Sequence, residues 1–525
     1  MQLSYKFSTN RDSRVLILKN KYVLLFLLTF FAFAVPKTSY SQISLTTENM
    51  ALGGGGTAYL TGFESLFVNP ANLYIQEKNY RFQISLLQGG VYYDTALPIP
   101  YIQDRLDSFR DHTRFLDAQS SLTELEPGDY ETILDRNFSG NNTSREFLTE
   151  SDFYWFGLKW VGPERSYAIS LRTRSATRYE LGRGFFSITP VEENNTLIVD
   201  RSFSQQSQVL HEFSFGYAES FTFLNGLLPQ LSEFIIGIAP KVVLPGASQD
   251  AAFNNSYEMN PESTSWIHQY SYTQQTSGVL SRYGDRFFNF GGLPDQANNT
   301  FQDLMQPAGI GFGLDIGVTY LMTFGDDLSI LRQQSQPTKK SLRIGLSITD
   351  LGAVYQYKSP FQYSSESVER LTTQITPLSE TTFTGAPNEH YLFLSQFDEF
   401  AQLTTSTQNE ESYDILLPTS IQAGALFQYQ RIKLVGDLSY SLSETPFNHS
   451  GLASYIGIEL RPLPYLPIRG GTRFAQRMSG YYSFGTGMET KHFDLNMSVL
   501  LKSRNAGPTT EILGMSFLGL KFYLQ

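Results

Sequence analysis

The sequence predicts an all-β fold, a transmembrane antiparallel β-barrel of about fourteen strands, and two observations carry that prediction. First, segments in which apolar residues alternate with polar or small ones recur along the chain. Several reach the roughly 9–11 residues that a tilted strand needs to cross a bilayer. Second, the 525 residues include 41 Phe, 31 Tyr and 41 Gly but only 9 Met. This composition is typical of strands and turns and does not favour helices.

The alternation is clearest in residues 309–321, where Ile310, Phe312 and Ile316 share one face and Gly311, Asp315 and other small or polar residues share the opposite face. A soluble β-sandwich also alternates. Aromatic strand ends and short turns that alternate with long loops favour a membrane barrel, which closes and leaves no exposed edge. Further candidate strands are 80–86, 153–160, 167–171, 213–217, 234–238, 342–348, 421–429, 432–440, 456–460, 482–488, 493–499 and 518–524.

The first 41 residues have the layout of a cleavable signal peptide. Arg11, Arg14, Lys19 and Lys21 precede an apolar run at 22–35, and a small-residue step at Ser39 and Ser41 follows it. The alternative is a helical membrane anchor, which needs about 20 apolar residues. The run is shorter than that, so we expect cleavage after Ser41 and export of the mature chain.

Three long polar stretches, 94–151, 246–307 and 358–418, separate groups of candidate strands. Each is about sixty residues long and rich in Ser, Thr, Asn and Gln. Outer-membrane barrels carry long loops at their extracellular end. We therefore expect these stretches to be loops that cap the outer mouth, with a short helix at 110–118.

Several classes of function are excluded or disfavoured by composition. The chain has no cysteine, which excludes disulfides and thiolate sites. A net charge of −11 argues against nucleic acid as a partner. The six histidines show no metal-binding spacing, and Asn448 to Gly451 lacks the surroundings of a hydrolase site. We expect no enzymatic activity, no metal and no cofactor.

Residues 49–73 contain a recognisable pattern of glycines, small residues and an Asn-Pro-Ala step, formed by Asn49, Ala51, Gly53, Gly54, Ala58, Glu64, Ser65, Asn69, Pro70, Ala71 and Leu73. This pattern resembles the opening segment of the long-chain fatty acid transporter superfamily, which also includes barrel subunits associated with type 9 secretion. The resemblance implies a barrel whose N-terminal segment, residues 42–75, folds inward as a hatch within the barrel domain of residues 76–525. The implied hatch and ligand residues are Asn49, Gly53, Gly54, Glu64, Ser65, Phe67, Asn69 and Pro70.

The conformational preferences of these residues also fit a hatch, independently of the resemblance. Glycines at 53–56 allow a tight backbone path with positive φ. Residues 64–67 suit a short helix that ends before Pro70.

Charged residues within the strands are expected to point into the barrel. Arg172 and Arg174 lie in an arginine-rich run that either binds a ligand carboxylate or, as is more common, pairs with acids on the lumen wall. The residues expected to face the lumen are Arg172, Arg174, Asp315, Asp350, Asp437, Glu459 and Arg469.

Two functions are open at this point. The first is passive passage of a hydrophobic or amphipathic small molecule, such as a fatty acid, across the outer membrane. It predicts an apolar lumen pocket beside the hatch. The second is a barrel that transports nothing and serves secretion-machinery proteins as a scaffold or shuttle. It predicts a filled lumen and outer loops that bind partners. Both place the protein among outer-membrane lipids.

Overall fold

A computed structural model describes residues 44–94, 143–162, 164–185, 187–221, 232–290, 305–324, 338–375, 394–395, 397–400, 403, 406–448, 450–474, 480–503 and 510–524. The expected signal peptide and the candidate helix at 110–118 lie outside these residues. Among the described helices, none has the length and apolar character needed to span a bilayer.

Fourteen of the described strands form a closed antiparallel barrel, which confirms the predicted fold class. Each strand pairs with the next, and the last pairs with the first from Phe82–Leu524 to Tyr92–Gly514. Numbered along the whole chain, the barrel strands are β1 (Phe82–Asp94), β2 (Ser144–Val161), β3 (Arg165–Gly182), β6 (Phe203–Ser220), β7 (Ser232–Met259), β9 (Gly309–Thr323), β10 (Lys340–Gln356), β15 (Ser420–Tyr429), β16 (Ile432–Ser441), β17 (Gly451–Leu463), β18 (Leu466–Phe474), β19 (Tyr481–Glu489), β20 (Phe493–Ser503) and β21 (Thr510–Leu524).

The barrel has two unlike ends. Tight turns join β2 to β3, β15 to β16, β17 to β18 and β19 to β20 at one end, here called the turn end. Longer connections, such as those after β1 and β10, leave from the opposite end, here called the loop end.

The barrel wall is apolar outside and polar inside, the reverse of a soluble core. On β9, Ile310, Phe312 and Ile316 are exposed, with Phe312 at 65% of its full accessibility, whereas Asp315 and Thr319 are fully buried. Near the turn end, Phe82, Trp160 and Tyr167 follow one another around the outside with ring centroids 5.5–6.1 Å apart. An apolar belt with aromatic residues at its border is typical of a lipid-facing surface.

Seven further described strands lie at the loop end, and five of them fall within stretches that the sequence predicted to be loops. Residues 246–259 continue β7, and β8 lies within the expected loop 246–307, so that prediction was wrong for those residues. The expected loop 358–418 likewise contains β11 to β14. The seven strands are β4 (Val191–Glu193), β5 (Thr196–Asp200), β8 (Trp266–Ser277), β11 (Phe361–Ser365), β12 (Val368–Thr372), β13 (Ser406–Asn409) and β14 (Tyr413–Leu416). They extend the barrel sheet, and we call them the outer extension.

Six helices are described alongside the strands. The α-helices are Thr47–Ala51 and Ser281–Phe290, and the 3₁₀ helices are Phe63–Phe67, Pro70–Tyr74, Arg183–Phe185 and Gly278–Leu280.

Strand β7 shows how the layers of the molecule are stacked. Its 28 residues span roughly 90 Å at ~3.3 Å per residue, far more than a bilayer requires. Its outward-facing side chains are apolar from 234 to 244 and polar beyond, which matches a crossing of about 11 residues. The membrane-spanning barrel therefore ends near residue 245, and the outer extension rises above it.

Candidate functional site

Residues 44–81 fill the lumen of the membrane-spanning barrel, and we call them the plug. The plug is held in shape by local contacts. Gly53, Gly54 and Gly56 adopt φ values of 92°, 102° and 121°, a region that side chains disfavour. Asn69 caps the helix Pro70–Tyr74 by accepting a bond from the backbone N–H of Ala71 at 3.2 Å.

A ring of glycines lets the plug approach the barrel wall. Ten barrel strands each place one glycine on the lumen face, about five residues from the turn end, where a Cβ atom would collide with the plug or be pressed against it. At Gly237, for example, the Cβ would meet the backbone of Pro70 and Ala71. The ring consists of Gly157, Gly216, Gly237, Gly317, Gly345, Gly424, Gly457, Gly471, Gly485 and Gly519.

Polar contacts fix the plug within this ring. The Asn69 side-chain amide donates to the Thr57 carbonyl and to the Thr319 hydroxyl of β9, both at 3.0 Å. Thr319 in turn donates to Asn72 at 2.7 Å. Ser347 of β10 donates to the Val68 carbonyl at 2.6 Å. Because these groups are buried, each bond satisfies an atom that would otherwise be costly to desolvate.

One side of the plug is apolar. Phe63, Leu66 and Phe67 are buried against β2, β3, β6 and β7, and the Phe63 ring meets Tyr154 edge to face at 5.7 Å. Burying side chains of this size contributes about 1.5–3 kcal/mol each. The plug is therefore seated by hydrophobic contact on this side and by polar contact elsewhere.

A buried ionic cluster lies on the loop-end side of the plug and occupies the wall formed by β2, β3, β6, β7, β9 and β10. Arg172 and Arg174 both pair with Glu212 at 2.6 Å. Arg174 also pairs with Asp350 at 2.9 Å. Lys241 pairs with Asp350 at 2.5 Å and with Asp315 at 2.8 Å, and so links these two carboxylates. Each of these charges faces an opposite charge, as burial demands.

This loop-side ionic cluster touches the plug directly. The Arg172 guanidinium lies 3.9 Å from the centroid of the Phe67 ring, a cation–π contact that is strengthened by burial. Asp350 adopts a φ of 57° at a bulge of β10, which turns its carboxylate towards Arg174 and Lys241.

A second ionic cluster lies on the turn-end side of the plug, where acidic plug residues meet basic residues of the wall. Glu64 and Glu48 pair with Lys521 of β21 at 2.6 and 2.9 Å. Glu77 pairs with Lys433 at 2.6 Å and with Arg343 at 3.0 Å. Burial opposes ionisation of Glu77, but Lys433 and Arg343 outweigh burial and lower the pKa of Glu77 to about 2.

Glu459 and Arg469 belong to this turn-side ionic cluster. Arg469 donates to Glu459 at 2.7 Å and also pairs with Glu489. The Tyr59 hydroxyl of the plug donates to Glu459 at 2.6 Å. The barrel wall and the plug are thus joined by a chain of charge-assisted bonds, which are stronger than neutral ones.

Two of the cavities that border the plug among the described residues are small. One, lined partly by Asn49, Phe67 and Asp437, has a volume of about 20 Å³. The other, near Tyr59 and Arg469, has a volume of about 40 Å³. A single water needs roughly 10–15 Å³ by this measure. These two cavities have room for water but not for a hydrocarbon, so no apolar molecule fits there while the plug is seated.

Apolar side chains line the interior above the loop-side ionic cluster. An upper apolar cluster of Leu210, Val243, Val354, Leu417 and Phe447 comes first. Inside the outer extension lies a larger aromatic cluster. Its buried members are Leu181, Phe203, Ala251, Phe253, Tyr270, Tyr272, Phe361, Tyr363, Leu394 and Phe397, and Phe287, Phe288 and Phe400 pack against it.

The predicted site residues fall into three places. The eight hatch residues, Asn49, Gly53, Gly54, Glu64, Ser65, Phe67, Asn69 and Pro70, all lie buried in the plug. Four predicted lumen charges, Arg172, Arg174, Asp315 and Asp350, meet in the loop-side ionic cluster, and Glu459 and Arg469 lie in the turn-side ionic cluster. Asp437 accepts a bond from the Thr57 backbone N–H at 2.9 Å.

Sequence reasoning missed the partners of these residues. Lys241, Glu212, Lys433 and Lys521 complete the ionic clusters, but no motif in their strands marks any of them. The ring glycines could have been found from the sequence, because one glycine recurs on the lumen face of most barrel strands.

The fold and the site together define a plugged transmembrane β-barrel. Residues 106–499 match the model of a family of unknown function, DUF5723. That match covers more than half of the chain, and the protein belongs to this family. No curated protein matches the sequence.

Solved structures of similar fold include the Ralstonia pickettii toluene transporter TbuX, at 12% identity and a TM-score of 0.40, with 92% of this chain and 99% of that chain covered. The P. putida toluene transporter TodX matches at 10% identity and 0.37, with 92% and 96% covered. A Pseudomonas aeruginosa FadL homologue matches at 8% identity and 0.23, with 93% and 100% covered. Identity this low transfers no function to this chain.

Proposed function

We propose that the protein sits in the outer membrane and lets hydrophobic or amphipathic small molecules pass, with the plug as the hatch. The observation that carries this proposal is the succession of apolar layers along β7. Phe253 and Ala251 lie in the aromatic cluster, Ala247 packs with Phe287 and Phe288, and Val243 lies in the upper apolar cluster. An apolar molecule that enters at the loop end meets apolar side chains down to the loop-side ionic cluster.

Passage then requires the plug to move. The bordering cavities near the plug are water-sized, so the seated plug closes the lumen at that level. The plug is held by hydrogen bonds and ion pairs, which water replaces when the plug shifts.

A disulfide that locks the plug to the wall tests this proposal. The hydroxyls of Thr47 in the plug and Ser516 in β21 lie 2.8 Å apart, so cysteines at both positions place two sulfurs in contact. The chain has no other cysteine, so the pairing is unambiguous. Uptake of radiolabelled toluene and octanoate into proteoliposomes is measured for Thr47→Cys/Ser516→Cys when oxidised and when reduced.

We expect the oxidised variant to lose at least tenfold in uptake rate and the reductant to restore it. A matched control joins two wall strands instead, because the hydroxyls of Ser151 in β2 and Ser175 in β3 also lie 2.8 Å apart. Oxidised Ser151→Cys/Ser175→Cys should transport as the unmodified protein does. Equal uptake by both forms of the plug-locked variant would rule out the hatch.

The second candidate function is a scaffold or shuttle for secreted proteins, and the tightly filled lumen favours it. A barrel that transports nothing has no need of space beside its plug. If the unmodified protein takes up neither probe, passage is wrong and the scaffold becomes the better proposal. It is then tested by crosslinking through the outer extension in intact cells, followed by identification of a stoichiometric partner.

A further inference from the structure

A row of mostly apolar side chains crosses the outer face of the outer extension. Five strands place one residue each directly opposite the next, and the row consists of Val191, Ile198, Glu258, Ile267 and Leu371. Their chain neighbours Val199, Tyr257 and His268 are buried inside, so the row itself faces outward. Along β7 the row lies roughly 40 Å beyond residue 245, where the membrane-spanning barrel ends. It therefore faces water and not lipid.

Leu371 is the extreme member of this row. Its side chain is 75% exposed, the largest fraction for any large apolar side chain in the part of the chain that the structure describes. Its cross-strand neighbour Ile267 is 40% exposed. Lipid contact explains an exposed residue such as Phe312 on β9, but it cannot explain these two. A continuous apolar row with polar surroundings, unlike a single exposed side chain, marks an interaction surface.

Leu371 also lies on an edge strand. The pairings of β12 lead to β8 alone among the described strands. Strand β13 covers the same edge of β11, but that pairing stops at Ser365–Ser406. Beyond this point the outer edge of β12 can pair with an additional strand. The edge is ordered in advance, because Arg370 is tied on the inside to His268 at 3.3 Å and to Glu399 at 3.7 Å, and a preordered edge lowers the entropy cost of binding.

The surroundings of the row are acidic. The next row towards the membrane consists of Asp200, Ser256, Gln269 and Glu369. Together the two rows hold three carboxylates and no basic residue. Glu369 accepts a bond from the Gln269 amide at 2.8 Å, but neither Glu369 nor Glu258 forms an ion pair within the described residues. The charge that complements this face is therefore positive.

We propose that the edge of β12 receives an extended segment of a partner polypeptide by β-strand addition, with an apolar side chain over Leu371 and a basic one beside Glu369. Backbone hydrogen bonds would hold the segment, and side chains two residues apart on one face would recognise this pair. A second copy of the same surface does not fit, because its carboxylates would face these carboxylates. The inference goes beyond the proposed function, since it requires no passage through the lumen.

Fluorescence anisotropy of labelled peptides with the full-length protein in detergent tests the edge. In the first peptide Val and Lys alternate along one face of an extended chain and Thr fills the other face. The second has Glu in place of Lys. The third repeats the first with every backbone nitrogen methylated, so that it cannot donate to a strand edge.

Three variants accompany the peptides, and all change exposed side chains. Leu371→Ser removes the apolar contact, and Glu369→Lys inverts the charge beside it. Glu411→Lys is the matched control, because Glu411 is an exposed acid of the outer extension that follows the end of β13 and lies outside both rows.

We expect the Lys peptide to bind the unmodified protein at least tenfold more tightly than either of the other two. Leu371→Ser should weaken this binding about fivefold, and Glu411→Lys should leave it unchanged. Glu369→Lys should reverse the preference, so that the Glu peptide binds more tightly than the Lys peptide. A merely destabilised extension would lose binding without such a reversal.

Three results would overturn the docking edge. The first is a protein that binds none of the peptides. The second is equal binding of the methylated and unmethylated Lys peptides, which would remove the role of the backbone. The third is an unchanged preference in Glu369→Lys, which would place the peptide elsewhere on the protein.

Discussion

Gly470 and Gly471 are neighbours on β18 that face opposite sides of the barrel wall, and their surroundings differ accordingly. A Cβ at Gly471 would lie against the backbone of Leu52 and Gly53 in the plug, whereas at Gly470 the nearest atom is 3.8 Å away. The plug lies directly against the backbone of the wall at Gly471, so the ring glycines are packing residues.

Gly471→Ala should therefore loosen the plug while Gly470→Ala should not. The added methyl overpacks a site where both partners are backbone, a change that costs about 1–3 kcal/mol. An alanine that faces lipid stays within about 0.5 kcal/mol. Unfolding in urea, followed by heat-modifiable electrophoretic mobility, measures both. Equal stability of the two variants would mean that the plug does not press on the wall at this level.

Some residues of the site could be predicted from the sequence and others could not. The hatch residues were predicted because residues 49–73 resemble the opening segment of a known superfamily, and the lumen charges because alternation assigned their face. Glu212 and Arg343 were missed because each pairs with a residue far away in the sequence. Glu212 pairs with Arg172 of β3, and Arg343 pairs with Glu77 of the plug. No spacing rule within a strand identifies such partners.

At the scale of elements, the barrel strands were predictable and the outer extension was not. In the membrane the outward face must be apolar, so alternation appears in the sequence. Above residue 245 the outward face of β7 meets water, with Asp250 and Asn254 exposed. Strands β7 and β8 there are rich in Ser, Asn and Gln on that face, a composition shared with loops. The apolar outward face that identifies membrane strands is therefore absent from the parts of the sheet that extend above the membrane.

The outer extension carries a histidine whose charge state should control its stability. His268 stacks on Tyr257 with ring centroids 4.0 Å apart, and its Nε2 atom lies 2.9 Å from the Asn255 side-chain oxygen. Arg370 donates to its Nδ1 atom at 3.3 Å. Burial, reinforced by Arg370 and Arg201 and opposed by Glu399, lowers the pKa of His268 to about 4.

The outer extension should loosen as pH falls from about 6.5 to 4. A histidine with a depressed folded-state pKa contributes its full stability above the unfolded value of about 6.5, and that contribution is lost as pH falls through the folded value. The expected loss is about 1–2 kcal/mol. It is measured as proteolysis of the extension at pH 7.5, 5.5 and 4.5. His268→Gln should remove most of the dependence, whereas His492→Gln, at the exposed turn end, should retain it. An unchanged profile in His268→Gln would assign the effect to another group.

At the scale of the whole molecule, the plug is a third layer between two ionic clusters. The loop-side ionic cluster meets it at Phe67 through Arg172, and the turn-side ionic cluster meets it at Glu64 and Glu77. The lumen is thereby filled with paired charges at both levels. A closed barrel of fourteen strands has a wide interior, which fills with water once nothing occupies it. The presence of the plug therefore determines whether the barrel is sealed or open.

Deletion of residues 44–75 should turn the protein into a water-filled pore. The strands pair with one another and not with the plug, so the barrel should still close, and heat-modifiable mobility checks this. Lys521, which pairs with Glu48 and Glu64 of the deleted segment, would be hydrated in the emptied lumen. Conductance in planar bilayers should rise at least tenfold over the intact protein, and intact Gly470→Ala should stay as low as wild type. If the deleted variant folds and yet conducts no more than the intact chain, residues outside the plug seal the barrel, and the ionic clusters of the wall are the first place to look.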